Sequence, residues 1–403
     1  MAEDALTKDF DLHNPALAET FYEVIDNIRD NCPVGWSDAH GGYWLVTGYE
    51  ENHRVLSDAE TFSSNTSPPP VVKYPDGPHI PVETDAPDHT VFRQTIIPGF
   101  SPRRAADHEP EIRKHAQELL HGIVERGGCD WVMEFAGPLP AKVVLEMIGF
   151  PWEDVVMLNQ YKEDFFLHVF SEDEAVRNRV LNESRPRFRT YVVEKIDQRR
   201  SMDNPPQDAL TAMIQGVPGK RQMTDDEIVR ACMLLIPAGL DTVAMTLTFM
   251  ASYLAQNPAA RQQLRDQRDL IPAAVEEFLR VSSVVSPARV CTRDVEVGGK
   301  QLREGDIVQA MPSSAARDGR EFERAKEVRF DAETNRHMAF GVGPHRCLGS
   351  NLARLELRVA LEEMLEIMPE FELAPGFTPA LRPGVVLGIQ ELRLVVPGGA
   401  KAP

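Results

Sequence analysis

The chain has 403 residues, of which 42% are hydrophobic, and it is not enriched in glycine or proline. This is enough apolar material to bury a large core, in one large domain or in two of ordinary size. The formal net charge of −19 argues against nucleic acid or an anionic membrane as a broad partner.

The N-terminal part is predicted to hold one helix, one strand and a long loop. The opening sequence MAEDALTKDFDL is charged throughout and has no apolar stretch for a signal peptide or an anchor. A helix is expected over about residues 16–30 and a strand over 43–48. The proline-rich SSNTSPPPVVKYPDGPHIP predicts an irregular loop over 63–81, and loops of this length are usually functional or disordered.

The rest of the chain is predicted to be mostly helical, with short strands at RVCTRDVEVGG, GDIVQAM and ELRLVV. Helices are expected near residues 88–97, 105–126, 138–149, 152–169, 174–200, 207–215, 224–256, 259–267 and 272–282. The predicted fold class is therefore mainly α with small β-sheets (α+β). We expect a single domain over 1–403, with a β-richer part at about 35–80, a helical bulk at about 88–368 and a β-hairpin region at about 370–397.

The longest predicted helix begins with TDDE, a threonine cap followed by acidic residues, and contains LLIPAGLDTVAM. Its flanks are apolar, so we expect it to be central and buried, yet it holds Pro237, Asp241 and Thr242. One interpretation is a tolerated proline kink with Asp241 reaching solvent. The other is a helix opened so that a carboxylate and a hydroxyl can transfer protons. No segment approaches the roughly 20 consecutive apolar residues of a membrane span.

Two further patterns are weak when taken alone. In EEFLR, Glu277 and Arg280 are three residues apart on a helix, which is ordinarily a solvated surface pair. His89, Arg93 and Arg289 are basic residues that would normally be surface charges. A group of such donors that converge on a carboxylate would be a binding site instead.

The sequence FGVGPHRCLG places Cys347 between glycines and a helical pattern that starts at the cysteine. A thiol at a helix N-terminus is expected to have a lowered pKa, and glycines let the backbone approach something flat. The alternative is a buried cysteine that acts as a small hydrophobe. The five cysteines are far apart and show no disulfide, zinc or iron–sulfur spacing, so we expect a reducing, cytoplasmic setting.

Together these motifs resemble the cytochrome P-450 haem-thiolate monooxygenases of the soluble bacterial kind. FGVGPHRCLG matches the family's F-G-x-G-x-H-x-C-x-G loop, AGLDT its long-helix signature and EEFLR its E-x-x-R. The resemblance spans about residues 16–397. The G-L-D-T-V sequence over 239–243 is similar to that of the camphor hydroxylase group, but the loop over 63–81 is not, so camphor is not transferred as the substrate.

The resemblance implies the cytochrome P-450 fold, with the long central helix over haem b (iron protoporphyrin IX). It implies Cys347 as the axial ligand of the haem iron and Asp241 with Thr242 as the proton relay. It also implies a structural role for Glu277 and Arg280. The other cofactor-binding residues that it implies are His89, Arg93, Arg289, Phe340, Gly341 and His345. The implied substrate-binding residues are Leu234, Ala238, Val284, Val285, Val385 and Val386, with Phe165 and Phe166 on a lid helix.

The implied reaction is hydroxylation of a small apolar substrate, terpenoid-like or fatty-acid-like, with O₂. Because no flavin or iron–sulfur segment is present, electrons are expected from a separate ferredoxin and its reductase. That carrier is expected to dock on Arg103, Arg104, Arg346 and Arg354. We expect a monomer without nucleic-acid or membrane partners. The alternatives are a peroxide-driven peroxygenase, a non-catalytic haem sensor and a helical protein without cofactor.

Overall fold

The computed structural model of the protein describes residues 4–171, 173–331 and 335–397. Its α-helices are α1 (Asp4–Thr7), α2 (Phe21–Asn31), α3 (Tyr49–Ser57), α4 (Asp88–Ile96), α5 (Pro102–Asp107), α6 (Glu109–Arg126), α7 (Pro138–Ile148), α8 (Val155–Phe166), α9 (Glu174–Arg179), α10 (Arg185–Arg200), α11 (Ala209–Gln215), α12 (Asp225–Gln256), α13 (Pro258–Asp266), α14 (Ile271–Ser282), α15 (Pro312–Ala315) and α16 (Ser350–Ile367). The predicted ends of the domain at residues 1 and 403 lie outside the described residues.

The strands are short and lie mainly before and after the helical part. They are β1 (Val34–Ser37), β2 (Tyr43–Val46), β3 (Phe62–Ser63), β4 (Gly128–Asp130), β5 (Ala288–Cys291), β6 (Val295–Val297), β7 (Lys300–Leu302), β8 (Ile307–Ala310), β9 (Glu372–Leu373), β10 (Leu381–Arg382), β11 (Gly388–Ile389) and β12 (Arg393–Val395). The largest sheet has the order β1-β2-β8-β5-β3, in which only β2 and β8 run parallel. Smaller sheets are β4-β12-β9, β10-β11 and β6-β7. The predicted class, mainly α with small β-sheets, is confirmed.

Helix α12 runs through the main hydrophobic core and packs against α7, α8, α10, α14 and α16. Thr224 caps it, since its hydroxyl accepts from the Glu227 N–H while the Glu227 carboxylate accepts from the Thr224 N–H, as the TDDE motif predicts. At Gly239, α12 approaches α7 so closely that a Cβ atom would lie 2.3 Å from Val144 Cγ2. Only glycine allows this approach.

By length and composition α12 could cross a membrane, because its most apolar 18-residue window has a mean hydropathy of 1.7. The expectation that no segment comes near a membrane span was therefore too strong. However, 67% of that window is buried inside the protein, which is the position of a core helix.

Prolines account for two differences from the predicted helices. The helix predicted over 105–126 is two helices, α5 and α6, and Pro110 lies in the first turn of the second. The helix predicted over 174–200 contains a π-helical turn, Val180–Ser184, which ends two residues before Pro186. Proline has no N–H to donate, so each helix is re-started or widened there. Helix α3 was not predicted, although it has nine residues, as many as α4; it lies in the part that was expected to be richer in strands.

Candidate functional site

A cavity of about 370 Å³ separates α12 from the loop that precedes α16. Cys347, Phe340 and Gly341 line it from the loop, while Ala238 and Thr242 line it from α12. The structure therefore places Cys347 and Thr242 on the wall of one cavity, although they are about a hundred residues apart in the sequence. Asp241, which precedes Thr242 in the chain, does not line this cavity.

The cysteine loop owes its shape to glycines in left-handed conformation. Gly341 has φ +65° and Gly343 has φ +72°. A Cβ atom on Gly343 would lie 2.8 Å from the Cα of Ser57 and 2.9 Å from the Leu56 carbonyl oxygen, so glycine also lets the loop pack on α3. The Cys347 N–H donates to the Phe340 carbonyl at 2.8 Å, which closes the turn.

Two properties of Cys347 differ from those predicted. Helix α16 begins at Ser350, three residues after the cysteine, rather than at the cysteine itself. The thiol is exposed to the cavity but lies deep in the protein, and desolvation raises its pKa instead of lowering it. The Gly349 N–H and the nearby charges of Arg93 and Arg346 act in the opposite direction and favour the thiolate.

Four basic residues, His89, Arg93, Arg289 and His345, gather beside this loop. The rings of His89 and His345 are 4.0 Å apart between centroids, and His89 Nε2 is buried without a hydrogen-bond partner among the described residues. Arg289 is 4% exposed and donates a hydrogen bond to the Ala288 carbonyl at 2.7 Å.

The electrostatics of these four residues are unfavourable without an anion. Burial, followed by the charges of Arg289, His89 and Arg93, lowers the pKa of His345 to about 3. Burial also lowers the pKa of Arg289 to about 10, and Asp85 opposes this only in part. Within the described part of the chain none of the four forms an ion pair with a carboxylate. The group is therefore suited to carboxylates supplied by a bound molecule.

On the α12 side, Thr242 and Asp241 are held by different partners. The Thr242 hydroxyl donates to the Ala238 carbonyl at 2.9 Å. Asp241 is 2% exposed, and its two carboxylate oxygens lie 3.4 Å from Lys162 Nζ and 3.4 Å from Arg382 Nη2. The interpretation in which Asp241 reaches solvent is therefore wrong, because the carboxylate is buried between two cations.

The proline in α12 does not interrupt the helix, which is continuous over Asp225–Gln256. The interpretation of an opened helix is wrong in this respect. Pro237 has no N–H to give to the Met233 carbonyl, four residues earlier. The Tyr161 hydroxyl, 3.4 Å from that oxygen, donates to it instead. A hydroxyl from α8 thus compensates in part for the hydrogen bond that the proline removes.

The six residues expected to bind substrate all line the cavity: Leu234, Ala238, Val284, Val285, Val385 and Val386. Phe165 and Phe166 of α8 line it as well. The two C-terminal valines are held by backbone pairing, in which the Ser286 N–H donates to the Val385 carbonyl at 2.9 Å. Most of this wall is aliphatic or aromatic, which suits an apolar ligand.

Glu277 and Arg280 form a buried bidentate ion pair, with Arg280 Nη2 2.7 Å and Nε 2.8 Å from the carboxylate oxygens. Arg280 also donates to the carbonyls of Ala316, Ala325 and Glu327. The interpretation of a solvated surface pair is therefore wrong. The pair ties α14 to the segment that leads to the cysteine loop.

Some residues of the cavity region were not predicted from the sequence. Lys162 and Arg382 hold Asp241, and Tyr74, His79 and Glu83 line the cavity from the loop over 64–87. For Tyr74, His79 and Glu83, the only indication in the sequence was the proline-rich loop on or near which they lie. Nothing in the sequence indicates that Lys162 and Arg382 meet at Asp241, because chain folding alone brings them together.

Comparison with known proteins agrees with this geometry. The family model described as cytochrome P-450 matches residues 146–379. The chain is 36% identical to cytochrome P-450 127A1 of Sinorhizobium fredii, over 91% of this chain and 87% of that protein. It is 32% identical to a steroid C26-monooxygenase of Mycolicibacterium smegmatis, over 88% and 87%. A crystal structure of cytochrome P-450 CYP101C1 superposes with a TM-score of 0.85 at 32% identity, covering 98% of both chains.

Proposed function

This chain belongs to the cytochrome P-450 family of oxygenases, and on that premise we propose that it hydroxylates a small apolar substrate with electrons from a separate ferredoxin. The observation that carries the proposal is the placement of Cys347 and Thr242 on the wall of one largely apolar cavity. The proposed reaction occurs between them.

The family's cofactor is haem b, and the residues of this cavity fit it. Cys347 offers a thiolate on one wall, and the four basic residues beside it have no carboxylate partner of their own among the described residues, which suits the two haem propionates. When bound, the haem supplies the activation of O₂, and a thiolate ligand favours O–O cleavage. We assign Cys347 as that ligand, His89, Arg93, Arg289 and His345 as propionate partners, and Phe340 and Gly341 as contacts of the macrocycle.

Proton delivery is assigned to Asp241 and Thr242. The Thr242 side chain lines the cavity, and its hydroxyl can turn from the Ala238 carbonyl toward an oxygen atom in the cavity. Asp241 can accept a proton from Lys162, whose side chain is 20% exposed and therefore reaches water. A positioned acid–alcohol pair of this kind is of use to an oxygenase and not to a passive haem sensor.

The substrate is proposed to be apolar, because valines, leucines and phenylalanines make up most of the wall around Thr242. Both terpenoid-like and fatty-acid-like molecules meet this description. One relative carries the name of a steroid C26-monooxygenase, which is in keeping with a bulky apolar substrate.

The electron carrier is proposed to dock on the cysteine side. Arg103 and Arg346 are exposed there, and Arg104 is hydrogen-bonded to Gln207 at 2.9 and 3.0 Å. Arg354, which was expected to join them, is paired with Glu276 at 2.6 Å and contributes little net charge. The remaining positive charges suit a small acidic ferredoxin and act mainly on the encounter rate.

The test of this function is the ligation of iron by Cys347. Dithionite-reduced protein with carbon monoxide should show the strongly red-shifted band of thiolate ligation. Cys347→His should lose that band and the hydroxylation activity, whereas Cys129→Ser, at a cysteine outside the cavity, should keep both. A Cys347→His protein that retained the band would refute the assignment.

A further inference from the structure

The cavity wall is thin in the loop over 64–87 and in the 3₁₀ turn His168–Phe170, which follows α8. Pro68 of the loop and Phe170 of the turn line the cavity, and both are also partly exposed to solvent. A side chain that contacts the cavity on one side and water on the other leaves no second layer of protein between them. A molecule that enters the cavity therefore has a short path beside these two residues.

His13, from the N-terminal segment, joins these two elements. Its Nε2 lies 3.0 Å from the Pro69 carbonyl oxygen. A carbonyl oxygen can only accept, so Nε2 carries the proton and donates. The ring of His13 packs on the ring of Phe170, with the two centroids 4.9 Å apart. One side chain thus holds the loop and the turn together at the thin part of the wall.

The segment before His13 is fixed to strands β1 and β2. Phe10 is 6% exposed, and its carbonyl accepts hydrogen bonds from the hydroxyls of Ser37 and Tyr43, each at 2.7 Å. Burial lowers the pKa of His13, and the charge of Asp11 opposes this only in part, so the ring is neutral near pH 7. His13 therefore has a fixed position, to which the loop and the turn are attached.

We propose that His13 is a latch on the entrance of the cavity: it holds the loop over 64–87 and the turn after α8 closed, and both must leave it before a bulky molecule can reach the haem. The haem is the family's cofactor, so this inference depends neither on the proposed substrate nor on the proposed electron carrier. His13 does not line the cavity itself, so it acts on the rates of entry and exit and not on the affinity of a bound molecule. Loss of either contact should make the open state about fivefold more populated, the value of one neutral hydrogen bond or one aromatic pair.

The experiment measures how fast phenylimidazole reaches the oxidised iron of the haem-loaded enzyme. Stopped-flow absorption at several ligand concentrations gives its association and dissociation rate constants. His13→Phe keeps a ring against Phe170 but removes the donor to the Pro69 carbonyl, so both rate constants should rise about fivefold while the dissociation constant stays unchanged. His13→Ala removes both contacts and should raise both rate constants further. Cyanide, which is diatomic, should bind at the wild-type rate in every variant.

The matched control is His53→Ala, at an exposed histidine of α3 outside the cavity, which should keep the wild-type rate constants. Wild-type rate constants for phenylimidazole in His13→Ala would overturn the inference, and so would a weaker affinity caused by faster dissociation alone. A cyanide rate that rose by the same factor would also overturn it, because it would indicate a general loosening of the fold. If His13→Ala fails to load haem, His13→Phe, which keeps the packing on Phe170, decides the case. If the rates respond as expected but no hydroxylation is found, the proposed function fails and this inference stands.

Discussion

Replacing Asp241 by Asn should slow product formation by about 10²–10⁴-fold, the usual contribution of a positioned proton-transfer group. The change keeps the shape of the side chain but removes a buried negative charge that lies 3.4 Å from both Lys162 and Arg382. At an effective dielectric constant of about 20, each contact represents about 5 kcal/mol of gross attraction, most of which offsets desolvation. Because both cations are partly exposed, we expect a net loss of folding free energy of only about 1–3 kcal/mol.

The assay must separate lost chemistry from lost stability. Product formed and reductant consumed should be measured together, in H₂O and in D₂O, on protein whose carbon monoxide spectrum shows full haem loading. Asp318→Asn is the matched control, because Asp318 is also 2% exposed and ion-paired, with Arg320 at 2.6 Å, but has no chain neighbour on the cavity wall, whereas Asp241 is next to Thr242. If Asp241→Asn turned over as fast as Asp318→Asn with the same solvent isotope effect, the proton-relay argument would be refuted.

Three further changes test other parts of the site. Thr242→Ala should still consume reductant but release it largely as hydrogen peroxide, measured as the ratio of peroxide to product. Glu277→Ala should lower the free energy of unfolding in urea by about 3–5 kcal/mol, because it leaves a buried guanidinium without its carboxylate, whereas Glu366→Ala, at an exposed carboxylate paired with Arg268, should cost about 1 kcal/mol or less. Arg289→Gln should speed haem transfer to an acceptor protein, and exposed Arg293→Gln should not; equal rates would contradict the propionate assignment.

The cysteine motif shows what a sequence can reveal about this site. Gly341, Gly343 and Cys347 lie within seven residues, so their joint geometry is local and could be predicted from turn and helix preferences. The pKa of the thiol could not, because it depends on how much protein surrounds the sulfur. The position in the sequence indicated a helix terminus, which would lower the pKa of the thiol. Burial has the larger effect and raises it.

The partners of Asp241 could not be predicted either, but the reason is different. Its partner Arg382 is 141 positions away, on a strand of two residues that no periodicity could identify. The apolar wall was easier to predict, because one face of α12 and the valine pairs are recognisable as short apolar patterns. Contacts between polar residues on distant elements can be predicted only once the fold is known, since the energy that holds them together depends on how the elements pack.

Arg354 has a structural role, because its charge is paired with Glu276 and is not available to a docking partner. Burial opposes ionisation of Glu276, but hydrogen bonds from His337 and Arg354 outweigh it and lower the pKa of Glu276 from 4.5 to about 2. A carboxyl with a depressed pKa stabilises the fold above its unfolded value and loses that contribution as the pH falls. The stability advantage of the wild type over Arg354→Gln should therefore be full above about pH 4.5 and shrink toward pH 2.

Arg346 is exposed, so we expect its charge to affect the rate of reduction and not the stability of the fold. Arg346→Glu should slow reduction by an acidic ferredoxin at low salt and flatten the dependence of that rate on salt, because screening shortens to about 8 Å at physiological ionic strength. Its urea denaturation should match that of the wild type, and the two proteins should be compared at full haem loading, because Arg346 also lines the cavity and its charge acts on Cys347. If Arg354→Gln flattened the salt dependence as strongly as Arg346→Glu, the Glu276 ion pair would not neutralise Arg354, and the docking face would have to include it.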